Sequence, residues 1–549
     1  MRGSAKWKWI LATAAVLGIG AVIYLKLRKS EDFEGAIKTR LAKLVHKASE
    51  GLYALSIEDI EIDLLGSTIT AHNVHLTPDS VRQIVLDKYS KLPDDILTIS
   101  VRKILIKGIS PADLINSKNL SLSQVVIDSP DVLIEHKKRN YNKKDSTSFY
   151  DRLTDKNEAY SIGNLLLERI RLTRINKDKN NKQTILYNLT AALDDIDINE
   201  KTATDTSRFF FAREALIYAK KYTTVTADKL YRFSIDSIAL KPQRGQLEAR
   251  AVKLEPIDSK DDFSDKQSFK TDRYNIYIEQ LAAANVNWWA LFADEGVRLD
   301  SMNLQGGFVE IYNDSRLPSK GVSKIGKYPH QLIAKAGFPI RLYHLAIDSV
   351  DVIYEEFNPK SDTTGRVEFK HITGTLTNVT NLADDIAVNP LMTLQTTSAF
   401  MGRGTLTSQL QFDLRNVGNG NFSVYAQLGP MDGNVLNTAS KGLGLVAIED
   451  LFVDKLEARL AGDNNQASGT VSFLYHNLKV AALKVDEGKL KKRALLSFLA
   501  NNFMVKSSNP QKDKPPIVQQ VTHAREPNRS FFNLVWKTIA DGIIKTAKG

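Results

Sequence analysis

The chain has 549 residues, a formal net charge of +11, 43% hydrophobic and 25% charged residues, and no cysteine. That length suits several domains or one long repetitive one, and the apolar content allows a large core. The missing cysteines exclude disulfides, thiolate metal sites and cysteine nucleophiles. The basic residues are spread along the chain. Their densest run, HKKRNYNKK (136–144), reads as a solvated hairpin tip with no nucleic-acid module around it, so nucleic acid is not an expected partner. Attraction to anionic lipid headgroups is a milder use of the same charge.

Residues 1–30 carry the clearest local signal. Between Lys8 and Lys26 lies WILATAAVLGIGAVIYL, seventeen residues without a charge, near the lower limit for spanning a bilayer. Trp7, Trp9 and Tyr24 sit at its ends, where aromatic rings favour the interface. A cleaved signal peptide needs a small-x-small site after the apolar run, but YLKLRKS follows, so an uncleaved transmembrane anchor is expected. Arg2, Lys6 and Lys8 on one side balance Lys26, Arg28 and Lys29 on the other. The default orientation keeps the short tail inside and translocates the long domain.

Residues 31–52 follow a helical period through Phe33, Ile37, Leu41, Leu44, Val45 and Ala48, with Gly51 as the stop. The polar face is not strongly cationic. An amphipathic helix plugging one end of the following β structure is favoured over one lying on a membrane.

From 53 to 484 the chain reads as strands built on one unit, two apolar residues two apart, a three-residue step, then two more. It appears as Leu55, Ile57, Ile60, Ile62; as Ile99, Val101, Ile104, Ile106; and as Leu120, Leu122, Val125, Ile127. Later copies are Val297, Leu299, Met302, Leu304 and Ile340, Leu342, Leu345, Ile347. A longer repeat contains it. Residues 99–134 align with 276–311 without a gap, so that Val132 and Ile134 meet Val309 and Ile311, and 340–355 is a partial third copy. Repeats on this scale indicate an elongated array. The three-residue step has two readings of equal weight. A β-bulge would keep all apolar residues on one face and bend the strand; a tight break would separate two short strands of a sandwich. Asn419-Gly420 marks a hairpin, and 469–484 gives the last clear strands. Residues 485–506 read as a helix, 507–530 as a polar, proline-containing flexible tether, and 531–549 as an amphipathic helix with Phe532, Val535, Trp536, Ile539 and Ile543 on one stripe. That last helix either docks back onto the protein or meets a membrane or a partner.

No catalytic constellation emerges. His72 and His75, three apart on a strand, would face opposite ways and could not share a metal. Zinc-protease, nucleophile-elbow and Walker motifs are absent. DIDIN (195–199) begins like a calcium loop, but Glu200 replaces the required glycine, and alternating Asp and Ile is the pattern of a half-buried strand. No cofactor, no metal and no enzymatic activity are expected.

The anchor, the amphipathic helix, ALSIEDIEIDLLGSTITAHNVHLTPD (54–79) and LTISVRKILIKGISPADLINSKNLSLSQVVIDSPDVLIEHKK (97–138) together resemble the N-terminal region of AsmA-like proteins. GTVSFLYHNLKVAALK is similar to that family's C-terminal end. The resemblance implies an inner-membrane, single-pass protein with its bulk in the periplasm, related to repeating β-groove lipid-transfer proteins, with roles in phospholipid traffic and envelope integrity. The expected fold is mainly β: a transmembrane helix, then an elongated, curved, mostly antiparallel β-sheet groove with amphipathic helices at both ends.

Moving a ~16-carbon acyl chain into water costs roughly 12 kcal/mol at ~0.8 per CH₂. A trough lined by Leu120, Leu122, Val125, Ile127, Val132 and Ile134, with Val297, Leu299, Met302, Leu304, Val309, Ile311, Ile340, Leu342, Leu345 and Ile347, would remove most of that cost. Phospholipids and the membrane are then the expected partners, with other envelope proteins reached through the C-terminal helix. The alternative is a closed β scaffold that binds envelope proteins without carrying lipid.

Overall fold

The computed structural model describes residues 33–63, 66–108, 119–142, 159–179, 181–202, 205, 207–209, 211–226, 228–292, 296–486, 489–492 and 505–548. The expected anchor lies outside the described residues, among which no helix is long and apolar enough to cross a membrane. The chain is mainly β and divides into two compact units. The first comprises Met1–Tyr222, Ser237–Leu247 and Trp288–Asp294; the second comprises Thr223–Asp236, Glu248–Asn287 and Glu295–Gly549.

The first unit holds α1 (Phe33–Ala48), β1 (Tyr53–Asp63), β2 (Thr68–Pro78), α2 (Ser80–Lys88), β3 (Asp95–Lys107), β4 (Asn119–Asp128), β5 (Asp131–His136), β6 (Ala159–Asn176), β7 (Lys182–Ile198) and β8 (Ala212–Val225). Neighbours in sequence pair antiparallel, except that β4 and β5 lie end to end along β3 and both run parallel to β6. Leu41 and Val45 of α1 are buried in the same cluster as the strand residues. Gly51 (φ 83°) ends the turn after α1 by donating to the His46 carbonyl at 2.7 Å. The hairpin of β9 (Tyr231–Lys241) and β10 (Gln246–Pro256) turns on Gly245 at φ 60°, and its residues are shared between the units.

The chain continues through α3 (Lys260–Asp265), β11 (Arg273–Ala284), α4 (Trp288–Phe292), β12 (Val297–Asp314), α5 (Pro329–Ala334), β13 (Ile340–Asn358), β14 (Thr363–Thr380), α6 (Ala383–Val388), β15 (Leu391–Phe400) and β16 (Gly404–Asp413). It ends with β17 (Phe422–Leu428), β18 (Met431–Asp432), α7 (Asn437–Gly444), β19 (Val446–Gly462), β20 (Gln466–Asp486), β21 (Lys489–Lys492), β22 (Val518–Ala524) and α8 (Phe531–Lys548). In the second unit the pairing runs β11-β12-β13-β14-β15-β16-β17-β19-β20-β22. Only β12–β13 is parallel among these steps. The repeat in the sequence is therefore a repeat in topology. β3, β4/β5 and β6 correspond to β11, β12 and β13, each an antiparallel step followed by a parallel one. Parallel neighbours need a crossover of a dozen or more residues, which 137–158 and 315–339 supply.

The three-residue step is mostly a third arrangement that neither reading anticipated. Between β1 and β2 the bridges reach Ile57↔Val74, omit Glu58 opposite Asn73, and resume in the same register at Asp59↔His72. Gly163 opposite Asp195, Glu279 opposite Gly306 and Tyr343 opposite Asn378 are passed over in the same way. One member of each pair is left-handed: Asn73 at φ 47°, Asp195 at 53°, Gly306 at 66°, Asn378 at 59°. Both strands skip together, so alternation is broken on both and the apolar face survives. True register shifts occur as well, between Leu167 and Ile170 on β6 and between Ile347 and Val350 on β13. One expectation is corrected by this geometry. His72 and His75 both lie on the face opposite Ala71, Val74 and Leu76, because Asn73 takes the kink between them.

The tail departs from expectation. Residues 485–486 and 489–492 are strand, the end of β20 paired with β21; 487–488 and 493–504 lie outside the described residues. The supposed tether is built into the fold. β22 adds to the edge of β20, and Asn509, 1% exposed, donates to the Phe473 carbonyl at 2.6 Å and accepts from the Ile517 amide at 2.8 Å. A sheet edge recruits backbone, so prolines nearby do not forbid it.

The second unit's core gathers around α8. Phe531 meets Phe412, Phe422 and Tyr328 with ring centroids 4.9–5.2 Å apart. His330 is fully buried against Phe412, with no hydrogen-bond partner at either ring nitrogen. Burial pushes its pKa down to about 4, against a smaller upward pull from Asp413. The folded pKa lies below the unfolded one, so its contribution is full above pH 6.5 and is lost as pH falls towards 4. Between pH 7 and pH 5, denaturant titration should show a loss of roughly 2 kcal/mol that His330→Phe removes.

Candidate functional site

The sixteen residues expected to line a trough separate by unit. Leu122, Val125, Ile127, Val132 and Ile134 are 0–7% exposed and belong to one packed cluster with Leu41 and Val45 of α1, Val74 and Leu76 of β2, and Leu165 of β6. They are core, which corrects the open lining expected of them; the strands of this unit fill their shared face with their own side chains. The Leu120 side chain lies outside the described residues. In the second unit only Leu299 is buried, at 5%. Val297, Met302, Leu304, Val309, Ile311, Ile340, Leu342, Leu345 and Ile347 are all half-buried.

Those half-buried residues stand on one continuous face. Ala283, Met302, Leu345, Leu376, Leu394, Leu410, Val424 and Leu460 are successive cross-strand partners from β11 to β19, and the row continues through Gly469 of β20 to Val521 of β22. Direct partners share a face, so the row crosses ten strands on one side. Met302, Leu345, Leu376 and Leu394 are partly open, whereas Leu410, Val424, Leu460 and Val521 are closed beneath α8 and its cluster. Strand spacing of about 4.8 Å makes the open part, β11 to β15, about 19 Å across.

The neighbouring row is lower. Leu281, Leu304 and Ile347 lead into Gly374, Thr396, Ser408, Ala426 and Ala458. A Cβ at Gly374 would lie 2.1 Å from the Gln395 carbonyl oxygen, so this point on the floor cannot rise. Thr396 and Ser408 hydroxyls bond each other at 2.7 Å, which satisfies the polar atoms within an apolar surface. On the next row Phe369 and Phe400 pack at 5.4 Å and form the far shoulder. At one end Lys270 bonds Glu356 at 2.8 Å, and Tyr354 donates to the same carboxylate at 2.7 Å, giving a polar rim.

The opposite face of β11–β14 is held by ions. Arg273, Glu310, Lys260, Glu355, Arg366, Glu368, Lys370 and Asp351 form an unbroken chain of pairs, with α3 supplying Lys260. Burial works against the Glu355 charge, yet Lys260 and Arg366 hold its carboxyl below the usual range. Such a shared network is worth more than isolated surface pairs.

Asp59, Glu61 and His72 bring ligand atoms within 4.8 Å of one another on the outer face of β1–β2. They are partly to fully exposed, and the cluster by itself assigns no metal. The first four residues of DIDIN, 195–198, are strand, with Ile196 and Ile198 buried. The residues that sequence reasoning missed are Leu376 and Leu394, Gly374, and the aromatic shoulder of Phe369 and Phe400. Their strands lack the two-three-two signature that marked the others. No family model and no curated protein matches the chain.

The contrast in burial gives a direct test. Val125→Asp should abolish the first unit's cooperative unfolding, since an unpaired carboxylate has no escape there. Leu345→Asp, at a half-open position, should shift the second unit's unfolding by no more than about 1 kcal/mol, read by denaturant titration of the full chain in detergent.

Proposed function

We propose that this protein is a non-enzymatic, membrane-anchored carrier of phospholipid acyl chains, with the second unit's half-open apolar face as its binding surface. The observation that carries the reading is the unbroken row from Met302 to Leu394, apolar at every strand and half open. An isolated domain does not leave such a face wet without cost, and exposed contiguous apolar surface marks binding. The floor offers no charged group and its hydroxyls are paired with each other, so it suits a ligand recognised by length and apolarity. The polar rim at Lys270, Glu356 and Tyr354 would leave a headgroup in water. Each CH₂ laid on the floor recovers about 0.8 kcal/mol of the cost of leaving a bilayer.

The resemblance to AsmA-like proteins supports the same reading and adds its setting: an inner-membrane anchor at residues 1–30 and a periplasmic body, working in lipid traffic between envelope membranes. The second reading, a β scaffold for envelope partners, draws on the filled face of the first unit, where no lipid could enter.

Full-length protein purified in a short-chain detergent should carry phospholipid detectable by native mass spectrometry. Leu345→Asp together with Leu304→Asp should lower that lipid by about tenfold or more while the unfolding midpoints stay in place. Lipid-free wild-type protein across several preparations would leave the scaffold reading.

A further inference from the structure

We propose that one flank of α8 is part of the lipid site: Phe532, Trp536 and Ile543 form a side wall against which an acyl chain on the β11–β15 floor packs. This deepens the carrier reading and rests on it.

The orientation of α8 follows from its contacts. Phe531, Leu534, Thr538, Ile539, Gly542 and Thr546 are buried and point at the sheet. Gly542 permits the closest approach, since a Cβ there would lie 2.4 Å from Val471 Cβ. The rotation is pinned on one side by Asp541, whose carboxylate pairs with His523 on β22 at 2.7 Å. β22 is the last strand of the pairing order, so this flank faces the sheet's edge. Successive residues of a helix turn by about 100°. Phe532, Ile543 and Trp536 therefore fall within one narrow arc on the flank opposite Asp541, the side turned from the β22 edge back along the pairing order. Val535, within the buried stripe, joins the same cluster as Leu376 and Leu394 of the floor, and Ile539 is the buried residue next to that arc.

That flank is apolar; Ile543 is half-buried against the clusters beneath it, and Phe532 and Trp536 are bare. Phe532 is 65% exposed and Trp536 56%, on a helix whose polar side carries Lys537, Lys545 and Lys548. Fixing α8 to the sheet requires only the buried stripe. Two large aromatic residues on the trough-facing flank add nothing to that attachment and expose apolar surface, which fits a wall waiting for an occupant. The occupant we assign is an acyl chain, because the flank continues the floor: the corner between helix and sheet is apolar on both sides.

The experiment loads the detergent-purified full chain with phosphatidylglycerol brominated at mid-chain and compares tryptophan quenching in wild type and Trp536→Phe. Quenching by bound lipid should fall in the variant, since the other tryptophans, Trp7, Trp9, Trp288 and Trp289, are common to both. Phe532→Ser with Trp536→Ser should lower co-purifying lipid by about tenfold, whereas Lys537→Ser with Lys545→Ser on the other side should leave it unchanged. Equal quenching in wild type and Trp536→Phe with lipid still bound overturns the wall and spares the carrier reading. Lipid bound to neither protein overturns both. Quenching that arises only with intact vesicles assigns the flank to a bilayer surface instead and overturns the wall.

Discussion

Keeping greasy side chains on one side of a long, kinked sheet is the constraint on which the whole molecule depends. A strand that kinks alone turns its remaining residues to the wrong face. Here the partners kink together, Glu58 with Asn73, Gly163 with Asp195, Glu279 with Gly306 and Tyr343 with Asn378, and the register closes again unchanged. Asparagine, aspartate and glycine at the left-handed positions make this cheap, since they tolerate positive φ better than branched or bulky residues. Without that pairing the row from Ala283 to Val521 would be scrambled at each crease.

The same strand grammar is used to two ends. In the first unit the face is consumed by its own Leu, Ile and Val residues and by α1, which leaves a dry core. In the second, the face of the middle strands stays half open, and the floor dips at Gly374, Thr396 and Ser408. The α8 cluster reaches Met392 of β15 and closes the row fully from β16 onward. The repeat thus conserves topology while changing what the face is for. Val132 and its counterpart Val309 occupy the same place in the pattern, one fully packed and one half open.

Much of this was legible in the sequence. Strand class, the repeat, the first amphipathic helix with its Gly51 stop, the Asn419-Gly420 hairpin and the terminal helix all follow from periodicity and turn chemistry. What escaped did so for physical reasons. Apolar spacing says which residues share a face, and it is silent on what covers that face; Leu122 and Leu345 carry the same signature with opposite fates. The segment at 507–530 has polar, proline-bearing composition, yet its backbone pairs with β20, because edge pairing is a main-chain affair. The helical spacing of Leu490, Ala494 and Leu495 begins inside a hairpin that the charged KLKK run does not announce. His72 and His75 were placed by ideal alternation, which Asn73 breaks.

The ion chain from Arg273 to Asp351 lies on the side of the sheet away from the bare floor. A domain usually owes its rigidity to an interior, and removing that interior melts it. Here β11 to β14 wear their bracing outside, like a boat whose ribs are on the hull's outer skin. On the proposed carrier role, cargo would come and go from the hold while the frame keeps its shape, and loading and integrity would be independent properties of one small sheet.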